Sequence, residues 1–364
     1  MAGRPKYMRV ADILRREIAE GRFRDGQALM TEEELRFRFD VSRQTVRQAI
    51  AQLEDDGLVD RRRGSGTYVR HGPRKRQGLL HVGVLTGYIT DYISPNVLSG
   101  IEAVMNQHGV VMNLSATSND PRMERNILSR MMDGQVDGLI VEPCRSAEGS
   151  PNLDLYRHLA ERNVPVIFMN AVYPELTGAP CVMMDDRSGG RMAAAELAQR
   201  GYRRVGGVFK TDDLQGEERA RGFLEELKEQ GVEMSEENLL LFGTEDRMNL
   251  FETEKGLRFL ERAEDPEKMD GVACYNDIFV VRLMEALRRR GVRSPRDLGL
   301  IGFDDAMIAS VSRPALTTLG HPKEAFGTLV AEKLLRMMDG VRQESVRMPW
   351  KLVERESLPR VNRP

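Results

Sequence analysis

Apolar positions recur at two different periods along this chain, and the change of period divides it. In the first seventy residues the spacing is helical. Tyr7, Val10, Ala11, Leu14 and Ile18 share one face of a helix that ends near Gly21. Thr31-Glu32-Glu33-Glu34 is a capping box and starts a second helix, with Leu35 and Phe39 as its docking residues and Asp40-Val41 as the turn that follows. Ser42 is placed to cap a third helix. Val46, Ala49, Ile50 and Leu53 form its buried stripe, and Gly57 closes it in a left-handed cap. Leu58-Val59 and Thr67-Tyr68-Val69 then flank Arg61-Arg62-Arg63-Gly64-Ser65-Gly66, two short strands around a basic Gly-Ser-Gly tip. The pattern predicts a small winged helix-turn-helix domain over 1–70.

From about residue 80 short apolar runs alternate with helical spacing. Strands are predicted at 80–85, 110–114, 137–141 and 164–169, with helices at 95–107, 120–132 and 152–162. The alternation restarts after about 182, with helices at 186–200, 215–230 and 278–290 and strands at 204–209, 271–274 and 298–303. Apolar strands alternating with helices imply parallel sheets covered on both faces. Two sets in succession imply an α/β body of two Rossmann-like lobes with a cleft between them. The first lobe is expected over about 80–182 and 321–341, the second over about 183–319 and 342–360. Residues 71–79, rich in Gly, Pro and basic side chains, read as a linker; a solvated tether and a strand of contacts to a DNA backbone both fit that composition.

Charge sharpens the division. The whole chain of 364 residues carries a formal −2, but residues 1–76 hold 18 Lys+Arg against 12 Asp+Glu, and the remainder 36 against 44. A head at +6 on a body at −8 suits a phosphate-binding module on a domain that does not bind nucleic acid. No apolar run is long enough for a membrane span and the N-terminus has no apolar signal region, so no membrane partner and a cytoplasmic location are expected. Cys144, Cys181 and Cys274 lack disulfide or metal-ligand spacing and read as reduced core residues.

The third helix turns Arg43, Gln44, Thr45, Arg47 and Gln48 away from its apolar stripe. Arg reads guanine and Gln reads adenine in two-point fashion, so these residues, with the cap Ser42, are the candidate DNA readers in the major groove. Arg62, Arg63, Gly64, Ser65 and Gly66 would approach the minor groove, Arg62 as a phosphate contact. A dimer on a near-palindromic double-stranded operator follows from the half-site reach of one such head.

In the body the informative positions follow the strands: Glu142, Asn170, Lys210, Asn276 and Asp304. Ligands of open α/β sheets bind at the carboxyl ends of strands. These five mix donors and acceptors, as a polyhydroxylated ligand requires. Asn276 and Asp277 also suit a helix cap, and His321, near the lobe crossover, suits either the cleft or a hydrogen bond at the crossover. An enzyme is the other class. The chain has no dinucleotide fingerprint, phosphate loop, His-Glu-x-x-His or nucleophile elbow, so no catalytic residue, metal site or cofactor is assigned.

The head resembles the gluconate-repressor (GntR) family of bacterial regulators. The residues that carry this are Gly21, Gly26-x-x-Leu29, Glu32, Leu35, Val41-Ser42-Arg43-x-Thr45-Val46-Arg47, Ala49, Leu53, Gly57-Leu58 and Gly64-x-Gly66-Thr67-Tyr68-Val69. The family's usual Leu-Pro-Ser-Glu is here Leu29-Met30-Thr31-Glu32, which keeps the cap and loses the proline. The resemblance places Lys6 and Glu32 near DNA; a solvated lysine and a first-turn carboxylate are the plainer readings.

The body is similar to the effector domain of the lactose/galactose-repressor superfamily, a periplasmic-binding-protein-like fold, through Asp137-Gly138-Leu139-Ile140, Asp186-x-x-Gly189, Arg219-x-x-Gly222-Phe223, Cys274-Tyr275-Asn276-Asp277 and Leu300-Ile301-Gly302-Phe303-Asp304-Asp305. It implies effector contacts from Arg219, Asn276 and Asp304, and matches Glu142 and Asn170 to effector positions. The hinge sequence usual in that superfamily is not evident in 71–79. The pairing of this head with this body resembles the arabinose-operon repressors of Gram-positive bacteria, also through Gly83-Val84-Leu85-Thr86-x-Tyr88-Ile89-x-Asp91-Tyr92-Ile93 and Phe209-Lys210-x-Asp212-Asp213-x-Gln215-Gly216. That resemblance implies a repressor released from its operator by L-arabinose. A cleft ligand would then touch Tyr88, Asp91, Glu142 and Asn170 from the first lobe, Lys210, Arg219, Asn276 and Asp304 from the second, and His321. Residue chemistry alone leaves the ligand as a small sugar or polyol, with a sugar phosphate as the competitor, and leaves inducer against corepressor open.

Overall fold

The computed structural model describes residues 5–361 except 20, 25, 63, 64, 70–78, 91, 177 and 233. All of the expected linker but Leu79 lies outside the described residues, as do Arg63, Gly64 and Asp91.

The head is built from α1 (Lys6–Ala19), α2 (Glu32–Phe39), α3 (Arg43–Asp55), β1 (Val59–Arg62) and β2 (Gly66–Val69). Its apolar stripes meet in one core of Val10, Leu14, Ile18, Leu29, Leu35, Val46, Ala49, Ile50, Leu53, Val59 and Val69, with Tyr7 and Phe39 packed at its edge. The caps explain where the helices begin. Thr31 Oγ1 accepts from the Glu34 N–H, while the Thr31 N–H donates to Glu34 Oε2 at 2.7 Å, so the box forms without the proline. Asp40 takes a left-handed φ of 47° in the turn, and Ser42 Oγ accepts from the Thr45 N–H. Gly57, at φ 74°, closes α3. The wing strands pair antiparallel from Val59 opposite Val69 to Arg62 opposite Gly66.

The body follows as β3 (His81–Thr86), α4 (Ser94–Gln107), β4 (Val111–Ala116), α5 (Pro121–Asp133), β5 (Gly138–Val141), α6 (Leu153–Glu161), β6 (Val166–Met169), β7 (Cys181–Met184), α7 (Asp186–Gln199), β8 (Val205–Lys210), α8 (Leu214–Glu229), β9 (Leu239–Phe242), α9 (Glu254–Ala263), β10 (Gly271–Cys274), α10 (Asp277–Arg289), β11 (Gly299–Asp304), α11 (Met307–Val311), β12 (Thr317–Gly320), α12 (Lys323–Met338), β13 (Val346–Met348) and β14 (Lys351–Val353). One sheet runs β13-β7-β6-β5-β3-β4 and the other β14-β12-β11-β10-β8-β9. In each, the second strand of the set lies outside the first, so neighbouring crossovers leave on opposite faces. The switch points fall between β3 and β5 and between β8 and β10, where such sheets open a crevice.

Three departures from the sequence reading concern the sheet edges. β7 runs to Met184, so the first lobe extends past 182. β13 pairs in parallel with β7, Val346 opposite Val182, so 346–348 belongs to the first lobe and not, as expected, to the second. Its short polar–apolar run covers an edge that β7 alone would leave open. β14 returns to the second sheet antiparallel to β12, so that sheet is not wholly parallel. The chain thus passes between lobes three times, near Asp185, His321 and Pro349.

Glycines fix the approach of α7 to α8. A Cβ on Gly190 would fall 2.0 Å from the Arg219 carbonyl oxygen, and one on Gly222 would fall 2.0 Å from that of Arg187. Only glycine lets α7 and α8 lie this close, and the closeness sets Arg219 against Asp186. The cysteines are buried and unpaired; burial pushes the Cys181 thiol up to about 12 despite Arg347 nearby.

Candidate effector cleft and DNA-facing head

A cavity of about 150 Å³ lies between the two sheets' carboxyl ends. Tyr88, Glu142, Asn170, Lys210, Arg219, Asn276, Asp304 and His321 all line it. It also takes in residues that sequence reasoning did not place there, among them Tyr92, Asn119, Asp213, Gln215 and Arg247. Tyr92 and Gln215 lie inside the segments that carry the resemblance, where the sequence gives no signal of direction. Arg247 falls in a stretch where no element had been read.

Glu142, just past β5, is held by neutral donors. Thr86 Oγ1 donates to its Oε2 at 2.6 Å, the Gly87 N–H to the same oxygen at 2.8 Å, and Asn170 Nδ2 to Oε1 at 2.8 Å. Each carboxylate oxygen can accept more than one hydrogen, so the group retains acceptor capacity toward the cavity. Tyr92, Asn170 and Asp304 have φ of 60°, 68° and 89°, a region that costs non-glycine residues energy and is common at ligand sites.

Arg219 is the most constrained cation. It is 3% exposed. Its Nε donates to Asp186 Oδ1 at 2.8 Å and Nη1 to the Tyr275 carbonyl at 2.7 Å, while Nη2 lies 3.6 Å from Asp304 Oδ1. The rings of Phe303, Trp350 and Tyr275 surround the guanidinium at 4.6, 4.9 and 5.1 Å. Burial opposes its charge, but Asp186 and Asp304 override burial and hold its pKa above the usual value. Burial also pushes the Asp186 carboxyl up to about 7, against the pull of Arg219. Most of the guanidinium is therefore spent on the protein, and Nη2 with Asp304 is the part turned to the cavity.

Lys210 pairs with Asp212 and, at 2.9 Å, with Asp213, whose Oδ2 also accepts from the Tyr275 hydroxyl. Burial works against the ammonium; the two carboxylates more than offset it and raise its pKa. Asn276 Oδ1 caps α10 by accepting from the Phe279 N–H, so the capping reading holds while the residue also lines the cavity. His321 lies 3.9 Å from Asp304 Oδ1 and edge-on to Trp350 at 5.3 Å. Burial lowers its imidazole to about 4, Asp304 opposing, and its Nδ1 has no hydrogen-bond partner among the described residues. The crossover hydrogen bond expected as its plainer role is not made by that nitrogen.

On the head, Arg43, Gln44, Arg47 and Gln48 are exposed on α3, and Ser42 and Thr45 sit at its start. Lys6 is exposed at the start of α1. Glu32 does more than begin α2. Its carboxylate takes Arg43 at 3.1 Å, Arg47 at 3.0 Å and Arg61 at 3.8 Å. Burial works against its charge, but Arg43 and Arg47 override burial and hold its pKa below the usual carboxylate value. It therefore gathers two recognition-helix arginines and one wing arginine on one face. The Arg62 guanidinium lies 4.4 Å over the Tyr68 ring, and Ser65 and Gly66 are exposed at the tip.

The model of the gntR family of bacterial regulatory proteins matches residues 6–69, and that of the periplasmic binding protein-like domain matches 194–358. The chain is 37% identical to the arabinose metabolism transcriptional repressor of Geobacillus stearothermophilus, over 92% of each protein. It is 31% identical to the repressor of that name from Halalkalibacterium halodurans, over 93% of this chain and 91% of the other. Among solved structures, a periplasmic binding protein/LacI transcriptional regulator from Alkaliphilus metalliredigens, complexed with D-xylulofuranose, superposes with a TM-score of 0.63 at 26% identity, covering 76% of this chain and 98% of that one. The transcription regulator CcpA of Lactococcus lactis shares the body's fold at a TM-score of 0.66 and 21% identity, over 77% of this chain and 100% of that one.

Proposed function

This chain belongs to the family of bacterial arabinose metabolism transcriptional repressors, a gntR-type head on a periplasmic-binding-protein-like body, and from that premise we propose that L-arabinose is the effector that releases it from its operators. It is a sugar-responsive, DNA-binding repressor. One observation carries the reading of its switch: polar strand ends from both lobes meet in a single cavity, so a ligand there bridges the lobes.

The cavity, at about 150 Å³, is well above the roughly 10–15 Å³ that a single water needs, so it has room for a small ligand. Its chemistry suits a neutral polyol. Glu142 and Asp304 accept, Asn170 and Asn276 both donate and accept, Lys210 and Arg219 donate, and His321 offers its Nδ1, which has no partner among the described residues. A sugar phosphate fits less well, because Lys210 and Arg219 are already paired with Asp212, Asp213, Asp186 and Asp304. Asp91 joins this set by resemblance alone.

A ligand shifts a conformational equilibrium only by its differential affinity for the two forms. A sugar held from both sides favours the closed cleft. If the protein binds DNA as a homodimer, closure in each subunit would displace the heads from their half-sites of a near-palindromic operator. A coupling of about 1–3 kcal/mol would lower operator affinity five- to a hundredfold. On the DNA, Arg43, Gln44, Thr45, Arg47 and Gln48 read the major groove, Ser42 fixes the start of their helix, and Lys6, Arg62, Arg63, Gly64, Ser65 and Gly66 lie along the backbone and minor groove, with Glu32 orienting the arginines. The protein acts in the cytoplasm, where its DNA is, and no catalytic step is assigned to it. Calorimetric titration against pentoses, hexoses and their phosphates tests the effector. Binding of L-arabinose in preference to the others supports the reading, and binding of a phosphate alone would replace it.

A further inference from the structure

Residues 243–249, Gly-Thr-Glu-Asp-Arg-Met-Asn, follow β9 on the way to α9 and begin with a tight helical turn at Thr244–Asp246. The segment is anchored to the second lobe. The Thr244 N–H donates to Asp212 Oδ2 at 2.8 Å, Arg282 donates to the Arg247 carbonyl, and Lys255 pairs with Asp246 at 2.5 Å. Leu250 and Phe251 are buried behind it. It therefore moves with that lobe as one piece.

Its other side chains meet the first lobe. Asn119 Nδ2 donates to Thr244 Oγ1 at 2.6 Å. Arg145 pairs with Glu245. The Arg247 guanidinium lies 4.1 Å over the Tyr88 ring. The three receiving residues stand on the loops after β4, β5 and β3, which are neighbours in the first sheet. Two of them are tied together, since the Arg145 N–H donates to Asn119 Oδ1 at 2.9 Å. Tyr88, Asn119 and Arg247 also line the cavity.

We propose that Thr244, Glu245 and Arg247 are positioning residues for the effector site, forming a clasp carried by the second lobe that latches onto the first at the cleft mouth and retains the sugar. The proposal rests on the cleft being the effector site. All three contacts cross the cleft, so they exist only when it is closed and are lost together when it opens. They stabilise the closed form without touching DNA. Their loss is read in the escape of the sugar, because a bound ligand leaves only after all three contacts break.

The test uses the full-length protein, Glu245→Arg, and the swapped pair Arg145→Glu/Glu245→Arg. Glu245 is exposed, so its reversal leaves the fold intact. Hydrogen exchange of peptides covering 210–216 and 243–249 is followed without sugar, and L-arabinose dissociation is followed by the fluorescence of Trp350, the chain's single tryptophan. Glu245→Arg should exchange faster in both peptides and release sugar about fivefold faster, and the swap should restore both. Equal exchange and equal dissociation in all three proteins would overturn the clasp and leave the effector reading standing. Faster exchange restored by the swap, with no arabinose signal from any of the three, would uphold the clasp and overturn L-arabinose as effector.

Discussion

The hydroxyl of Tyr92, on the first lobe, lies 2.8 Å from Asp304 Oδ2 on the second. The same hydroxyl is 2.7 Å from the Phe303 carbonyl and accepts from the Asp277 N–H at 3.2 Å. Its one hydrogen serves two acceptors of the second lobe, and burial holds the phenol far above its usual range, so it stays protonated. Tyr92 thus bridges the lobes at the floor of the cavity.

Tyr92→Phe should weaken the closed cleft alone. We expect sugar affinity to fall by about 1.5–3 kcal/mol, the worth of a hydrogen bond to a charged group, while operator affinity without sugar is unchanged. Calorimetry on the variant checks the first and fluorescence anisotropy the second; an unchanged sugar affinity would show that the bridge does not contribute to closure.

For the head, Arg43→Ala and Arg47→Ala should each cost about 1–3 kcal/mol on the operator and much less on random DNA. Arg62→Ala should weaken both alike and reduce the salt slope by about one. Competition binding over a salt series separates the two behaviours. Equal losses on operator and random DNA for the α3 variants would remove them from base reading.

The pH dependence of stability isolates His321. Its imidazole titrates at about 4 in the folded protein against 6.5 when free. Between those values the unfolded chain binds a proton that the folded one refuses, so this residue makes stability fall as pH drops from 6.5 to 4, by about 3 kcal/mol in all. Asp186, raised to about 7, acts in the opposite sense, its folded form gaining stability as pH falls from 7. The difference between wild type and His321→Gln cancels the Asp186 contribution. Denaturant unfolding at pH 7 and 4.5 should show the gap between the two proteins shifting toward the variant at the lower pH.

A homodimer is expected free and on DNA, since one head covers a half-site. Sedimentation of the protein alone and with operator checks this, and a monomer in both would count against it.

Much of this was legible in the sequence where local signals are strong. Ser42, Thr31 and Gly57 cap helices through their own chemistry, and the strand ends Glu142, Asn170, Lys210, Asn276 and Asp304 follow from alternation plus the rule that ligands sit at carboxyl ends. Sheet edges were not legible. β13 and β14 are three-residue strands whose pairing is decided by which sheet has a free edge. The stretch from 231 to 270, with β9, α9 and the clasp, carried no motif, and Arg247 reaches the cavity only through tertiary packing. Arg219 was expected in the cleft through the resemblance and lines the cavity, but its engagement with Asp186 and three rings depends on the glycine contact between α7 and α8.

The most direct measurement is operator release. Fluorescence anisotropy of labelled operator is titrated with L-arabinose for wild type and for Asp304→Asn, which keeps the side chain's size and removes the charge that faces Arg219, His321 and the cavity. The account predicts that wild type releases DNA with a five- to hundredfold loss of affinity. It predicts that Asp304→Asn binds operator normally and needs at least about tenfold more sugar, a loss of roughly 1.4 kcal/mol or more. Release of both proteins at the same sugar concentration would contradict the cleft as the effector site.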